Sequence, residues 1–300
     1  MSRNEAGATR AFSLVVDGQP ITGLRAGEGA ERGLIIALHG GGYDARYWHA
    51  DPALSLLESG ARLGFDVVAI DRPGYRGSVT GSPEGVNMTR QVDSVFALIA
   101  ALDPSGQIPV SLIGHSMGGI LALMIAADAR ASRLLAVDVS GVPLRYPPKM
   151  QEIVEQSTEL AKSSPTTGEA GRDPAMLRWM FYGHEGSYDP RVTVGIDAQN
   201  AVPSAEMADA FNAPSNLPPL MRQIRIPLQW TIADQEKSSL GGESILAEIR
   251  ELMAECPYLR TSLQRASGHN ISAHHVGFAY HLRALAFFDE CRALRGQTVA

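Results

Sequence analysis

Cysteine is almost missing from this chain. Its two residues, Cys256 and Cys291, cannot build a disulfide framework, and neither has a histidine or second cysteine at metal-ligand spacing, so both read as buried or idle thiols. Long apolar runs are missing too. The longest, residues 120–127, falls far short of the roughly 20 residues a membrane-spanning helix needs. Lysine and arginine form no run, and the net charge is -6, which argues against nucleic acid and anionic membrane as partners. The first residues carry Glu5 and no apolar core, unlike a secretory signal. Neither an internal repeat nor a low-complexity tract is present. These absences leave the expectation of a soluble, cytoplasmic protein. Its 300 residues, 45% hydrophobic and 19% charged, are ample for a sizeable core in one large domain or two.

The most informative stretch is Ile113-Gly114-His115-Ser116-Met117-Gly118-Gly119. An apolar run at 108–113 precedes the serine and an alanine- and leucine-rich run at 120–129 follows it. The stretch therefore reads as strand, sharp turn, helix. A serine hydroxyl is a poor nucleophile unless it is held clear of the backbone beside a base. A tight strand-to-helix turn does the holding, and glycines at 114 and 118 remove the Cβ atoms that would clash in it. The new helix also points its first free N–H groups at the site.

The rest of the chain alternates. A hairpin is expected at 12–16 and 19–24 around Asp17-Gly18. A buried strand at 33–38 ends at His39-Gly40-Gly41-Gly42. A helix at 53–63, a strand at 65–70 closing at Asp71, and a helix at 88–102 capped at Asn87 or Thr89 come next. After the serine turn a strand follows at 134–139. Such alternation predicts an α/β fold, a mostly parallel central sheet with helices on both faces. Sites in such sheets lie at the carboxyl ends of strands. From 142 to 221 the pattern changes. Ten of the 18 prolines lie there, with short helical pieces at 150–162, 174–181 and 205–211 and no strong strand. This predicts a mainly helical insertion, 142–221, in a core made of 1–141 and 222–300. The alternation resumes with a strand at 226–232, a helix at 246–256, a strand at 259–263 and a final helix at 273–293. That helix spaces Phe278, Leu282, Leu285 and Phe288 to pack on the sheet rather than on a partner.

A serine nucleophile needs a base, and the base needs an orienting carboxylate. The base should follow the last strand. Of eight histidines, His269 alone sits on such a loop, after Gly268. His274, His275 and His281 fall on the final helix as surface or packing residues, and His115 has at most a supporting role. The acid should follow the strand at 226–232, where Asp234 and Glu236 could each reach the imidazole; Glu236, deeper in the loop, is preferred. An oxyanion needs two N–H donors. Met117, just after the nucleophile, offers one. The glycine loop offers the other, with Gly41 the first choice and Gly42 the second.

These residues carry a resemblance. His39-Gly40-Gly41 with Trp48 downstream, Asp71-x-Pro73-Gly74-x-x-Gly77-x-Ser78, Gly114-His115-Ser116-Met117-Gly118-Gly119, the acid loop at 234–236 and Gly268-His269, in the order serine, acid, histidine, resemble an α/β-hydrolase of the cap-bearing esterase, lipase and thioesterase type. The resemblance covers nearly all of residues 12–295. It departs from the pattern at Ala233, where glycine is usual, and in having a glutamate as candidate acid. The triple glycine after His39 is also similar to lipases of the hormone-sensitive class. The resemblance implies that 142–221 is a cap over the site, with Trp179, Phe181, Tyr182 and His184 as candidate pocket residues; Tyr43 and Tyr75, beside the oxyanion loop and the Asp71 turn, join them. It implies a serine hydrolase acting on a carboxylic ester or thioester of a small acyl substrate, with no metal and no organic cofactor. The fold also hosts acyltransferases, lyases, cyclases and ligand receptors with little turnover. Haloalkane dehalogenation needs a carboxylate where Ser116 stands.

Overall fold

The computed structural model describes residues 7–27, 29–78, 86–163, 174–196 and 200–297. Strands β1 (Arg10–Val16) and β2 (Gln19–Ala26) form the expected hairpin. Asp17 and Gly18 both have positive φ, 49° and 77°, the combination a two-residue hairpin turn requires. Six further strands follow: β3 (Leu34–Leu38), β4 (Asp66–Ile70), β5 (Val110–His115), β6 (Leu134–Ser140), β7 (Leu228–Ala233) and β8 (Leu259–Gln264). They make one eight-stranded sheet in the order β1-β2-β4-β3-β5-β6-β7-β8, antiparallel at β1, β2 and β4 and parallel from β4 to β8. Every residue of β3 to β7 is buried. That explains why these strands are mainly apolar without strict alternation, with buried polar residues such as Gln229 and Asp138 bonded to each other: helices cover both faces.

The two faces build two cores. Ile35, Ala37, Val67 and Ala69 pack on α1 (Leu56–Arg62) and α10 (Gly277–Gln297). Leu34, Ile36, Leu38, Val68 and Ile70 pack on α2 (Met88–Leu102), α3 (Met117–Ala127) and their neighbours. The helix expected at 53–63 is split. A 3₁₀ turn at Pro52–Leu54 ends at Ser55, whose hydroxyl accepts from Glu58 N at 3.1 Å and caps α1. Asn87 caps α2 in the same way, accepting from Arg90 N.

Between β6 and β7 lie α4 (Pro148–Ser163), α5 (Pro174–Phe181), α6 (Pro190–Ile196), α7 (Ser204–Phe211) and α8 (Ala213–Met221). Two of these, α6 and α8, were not legible in the sequence. Helix α8 contains Pro218 and Pro219, which ordinarily argue against a helix. Its Ala213, Leu217 and Met221 nevertheless enter the same core as α3. After β7 comes α9 (Glu243–Leu252), with Ile245, Leu246 and Ile249 buried. On α10 the buried stripe is Tyr280, His281, Ala284, Leu285, Phe288 and Cys291. Leu285 and Phe288 belong to it as expected, but Phe278 and Leu282 are 42% and 38% exposed, because the buried face is centred on Ala284 and leaves those two on the far side of the helix. Among the described residues, no helix is long and apolar enough to cross a membrane.

Candidate active site

The chain reverses its lateral direction at β3, moving out to β4 and back across to β5. Such a switch point opens a crevice at the strand ends, and both the loop after β3 and Ser116 after β5 lie there. Ser116 has φ 54° and ψ -119°, a region costly for any residue with a Cβ. Its N–H donates to Ser140 O at 2.8 Å, which helps hold the turn. A Cβ on Gly114 would fall 2.5 Å from the Gly118 carbonyl oxygen, and one on Gly118 would drive into the carbonyl oxygens of Leu38 and His39. The glycine spacing is therefore a steric requirement of the turn.

Opposite the serine, the Met117 side chain folds onto Gly41 and leaves no room for a Cβ there. Among the described residues neither the Gly41 nor the Met117 amide has a hydrogen-bond acceptor. Gly42 is in the left-handed region with φ 80°, and its carbonyl accepts from Asn200 N at 3.2 Å. The loop is braced from below. Arg72 N donates to His39 Nε2 at 3.0 Å and Arg72 Nε to His39 O at 2.7 Å, while His39 Nδ1 donates to Gly40 O at 2.7 Å.

His269 Nδ1 lies 2.8 Å from Glu236 Oε2, and both side chains are buried. The other oxygen, Glu236 Oε1, accepts from Lys237 N, Ser238 N and Ser238 Oγ at 3.0, 2.9 and 2.7 Å. Ser238 Oγ is also 2.8 Å from His269 Nδ1. Its one proton goes to the carboxylate, so toward the imidazole it can only accept. Nδ1 therefore carries the hydrogen, and in the neutral imidazole Nε2 keeps its lone pair. Nε2 is buried and has no hydrogen-bond partner among the described residues. Burial pushes the Glu236 carboxyl up, but the His269 charge and the hydrogen bonds from His269 and Ser238 outweigh it and leave it below the usual carboxylate value. Asp234 does something else. Its oxygens accept from Ala266 N at 3.1 Å and Ser267 N at 3.2 Å, stapling the β7 and β8 loops together. Of the two candidate acids, the structure brings Glu236 and not Asp234 to the histidine.

The expected pocket aromatics separate. Tyr43, Tyr75 and Tyr182 are 3%, 1% and 3% exposed, so their rings are committed to protein. Tyr43 Oη accepts from Asn270 Nδ2 at 2.7 Å, Tyr75 sits edge-on to His39 at 4.8 Å, and Tyr182 packs on Tyr188 at 4.9 Å. In all three the ring is spent on packing within the protein, so it fills core rather than pocket. Phe181 is different: its ring stacks on His269, 5.2 Å away with 29° between planes. Trp179, on the same helix, is half-buried beneath two lysine ammoniums. His184 is exposed and its amide binds Gln235 Oε1.

Two further histidines support the His269 loop: His115, expected to have at most a supporting role, and His274, whose role sequence reasoning missed. His115 stacks on Tyr47 at 4.6 Å, lies 4.7 Å from the His269 ring, and binds Asn270 Oδ1 through Nε2 at 3.0 Å. His274 precedes the final helix rather than lying on it. Its Nδ1 donates to Asn270 O at 2.8 Å, and its Nε2 accepts from Gly183 N at 3.2 Å and Gly268 N at 3.0 Å. One neutral imidazole thus ties the end of α5 to the residue before His269. No sequence pattern marks such a role; only its position five residues after His269 hints at it. Among the described residues no three His, Cys, Asp or Glu side chains are grouped as for a metal ion.

The sequence profile of the alpha/beta hydrolase family matches residues 35–282. This chain belongs to the alpha/beta hydrolase family. The hydrolase is 29% identical over 114 residues to protein phosphatase methylesterase 1 of Pongo abelii, a stretch that covers 38% of this chain and 28% of that protein. The match thus spans less than a third of that relative's own length. Among solved structures, a bacterial membrane phospholipase A described as a virulence factor superposes with a TM-score of 0.70 at 20% identity, covering 97% of this chain and 89% of that one. The thioesterase domain from the curacin biosynthetic pathway superposes at 0.66 and 18%, covering 94% and 99%. At such identities the structures share the hydrolase's fold.

The buried imidazoles make this hydrolase sensitive to acid. Burial lowers His274 to about 4 and His281 to about 3, and holds His39 and His115 well below the ordinary 6.5. Between pH 6.5 and about 4 the unfolded chain therefore takes up protons the folded chain refuses. Stability is present above pH 6.5 and is lost as pH falls through that window. For His274 alone the full shift is worth about 3 kcal/mol. Asp138 works the other way: burial raises it to about 6, so it adds stability as pH falls toward 4. Four imidazoles against one carboxyl give a net loss. Urea unfolding at pH 7, 6 and 5 should show a falling midpoint with uptake of more than one proton; a flat profile would contradict this account.

Proposed function

We propose that this protein is a serine hydrolase that cleaves a carboxylic ester or thioester of a small-molecule acyl substrate through an acyl-enzyme. The observation that carries the reading is the Glu236–His269 pair. Its free, desolvated Nε2 is at the end of the sheet that also holds Ser116 on a strained turn. His269 would take the Ser116 proton as the hydroxyl attacks the acyl carbon. Glu236 would hold the imidazole in the required tautomer and offset its positive charge. The Met117 and Gly41 amides would bind the oxyanion, each worth about 2.7–4 kcal/mol in interactions of this kind. His269 would then protonate the leaving group, and water would release the acyl group by the reverse route. The shared stretch with a methylesterase supports the carboxylic ester side of this reading, and a cytoplasmic setting accompanies it.

A fluorophosphonate tests the nucleophile directly. Intact-mass spectrometry should show one adduct, and peptide mapping should place it on Ser116. A folded protein that acquires no adduct, or acquires it elsewhere, would refute the assignment.

A further inference from the structure

The chain has only three lysines, Lys149, Lys162 and Lys237, against 23 arginines. Two of the three come from different parts of the fold to one tryptophan. Lys149 on α4 places its Nζ 3.8 Å from the Trp179 ring centroid, and Lys237, beyond β7, places its Nζ at 5.3 Å. The two ammoniums are therefore no more than about 9 Å apart. Arg145, near the start of the same segment, is by contrast paired with Glu248 at 2.6 Å. Neither lysine has a carboxylate partner among the described residues. Both of the other tryptophans, Trp48 and Trp230, are fully buried, so Trp179 alone offers a ring to solvent.

This cationic pair stands beside the candidate site. Lys237 directly follows Glu236, and its own amide donates to Glu236 Oε1 at 3.0 Å. Trp179 is two residues before Phe181 on α5, about 5.4 Å between Cα atoms for an α-helix, and Phe181 stacks on His269. The side chains of Trp179 and Phe181 leave α5 on different faces, so the link to the site is Lys237: a substrate arm leaving Ser116 toward the Glu236 loop would meet Lys237, and with it Trp179 and Lys149. Two like charges held this close without a counter-ion, in a protein of net charge -6, create a local demand for an anion. Cation–π contact orients the ammoniums without neutralising them.

Resting on the serine-hydrolase reading, we infer that Lys149, Trp179 and Lys237 form a specificity site for an anionic group, carboxylate or phosphate, borne by the substrate away from its scissile ester. Substrates of this enzyme are then acyl compounds with a second, charged end. The residues do no chemistry; they select and position.

The test compares two p-nitrophenyl esters of equal chain length, the adipate monoester and the hexanoate. For the full chain, kcat/KM for the anionic ester should exceed that for the neutral one at least tenfold, and the excess should shrink as salt is raised. Lys149→Met with Lys237→Met keeps the stems and removes the charges. That variant should lower the anionic-to-neutral ratio at least tenfold, acting mainly on KM. A ratio near one in the parent, or one unchanged in the variant, would overturn the inference. A second measurement does not need turnover. Ser116→Ala protein is titrated by calorimetry with adipate and with inorganic phosphate, with and without the two lysine changes. Lysine-dependent binding of adipate alone assigns a carboxylate, and tighter lysine-dependent binding of phosphate assigns a phosphate-bearing substrate. Binding of neither overturns the site. Failure of both esters to react would sink the hydrolase reading, while the titration would still decide this one.

Discussion

Ser116→Ala is expected to lower ester turnover by about a millionfold, leaving a small residual rate over water from the oxyanion donors and binding. The magnitude follows from the division of labour at the site. In the proposed mechanism the hydroxyl forms the covalent bond, and the alanine has no atom that can form it. Glu236→Gln should cost about ten-thousandfold. The amide keeps the shape of the side chain but offers an N–H where His269 Nδ1 now finds an acceptor, which favours the wrong imidazole tautomer. Asp234→Asn should change turnover by no more than about tenfold, because an amide oxygen can still accept from Ala266 N or Ser267 N. The order of the three effects is the content of the prediction, read from steady-state kcat/KM with one p-nitrophenyl ester. A loss from Asp234→Asn larger than that from Glu236→Gln would exchange the roles of the two acids.

The pair Asp234 and Glu236 also shows where sequence reading stops. Both are carboxylates just past the same strand, and a two-residue offset is too small for pattern alone to resolve. What separates them is the backbone: the Asp234 amide donates to Gln264 O and the Gln235 amide to Ser267 O, which turns the Asp234 side chain toward the neighbouring loop and lets Glu236 reach inward. The serine turn was legible for the opposite reason. Gly114 and Gly118 answer to backbone oxygens that any such turn would bring close, so the local sequence contains the steric rule. The sheet was legible because β3 to β7 are buried on both faces and read as short, mainly apolar runs without strict alternation. Aromatic residues carry no such rule. Tyr43 and Phe181 both flank the site, yet one is spent on Asn270 and the other covers His269, a difference set by tertiary packing. Helix α8 was hidden because its prolines contradict its conformation; burial of Leu217 and Met221 against α3 overrides that penalty.

Glu206→Ala should destabilise the protein by about 3–5 kcal/mol, a loss readable as a lowered urea midpoint. Arg72 and Glu206 are both fully buried, with Nη1 and Oε1 2.5 Å apart. Gln91 completes the cluster, accepting from Arg72 Nη1 at 2.9 Å and donating to Glu206 Oε2 at 3.1 Å. Removing the carboxylate leaves a guanidinium that can neither reach water nor lose its proton, with Gln91, the His39 carbonyl and the Tyr75 ring, 4.9 Å away, left to solvate it. The pair itself is a different matter, since desolvating two charges offsets most of their attraction. Arg72→Met combined with Glu206→Met should therefore be much less destabilising than Glu206→Ala alone, although it adds a second substitution. A double variant as unstable as the single would mean that shape, and not charge, holds this cluster. The location makes the measurement informative beyond stability. Glu206 belongs to α7, in the segment between β6 and β7, while Arg72 follows β4 and grips the His39 carbonyl beside the glycine loop. Asp209, one turn further along α7, accepts from Met88 N at the start of α2 at 2.8 Å. Helix α7 is thus fastened to the core by one buried charge pair and one helix cap. If the segment moves to admit substrate, these two contacts resist the movement near α7, whereas α4 and α5, which carry Lys149 and Trp179, are not fastened by them.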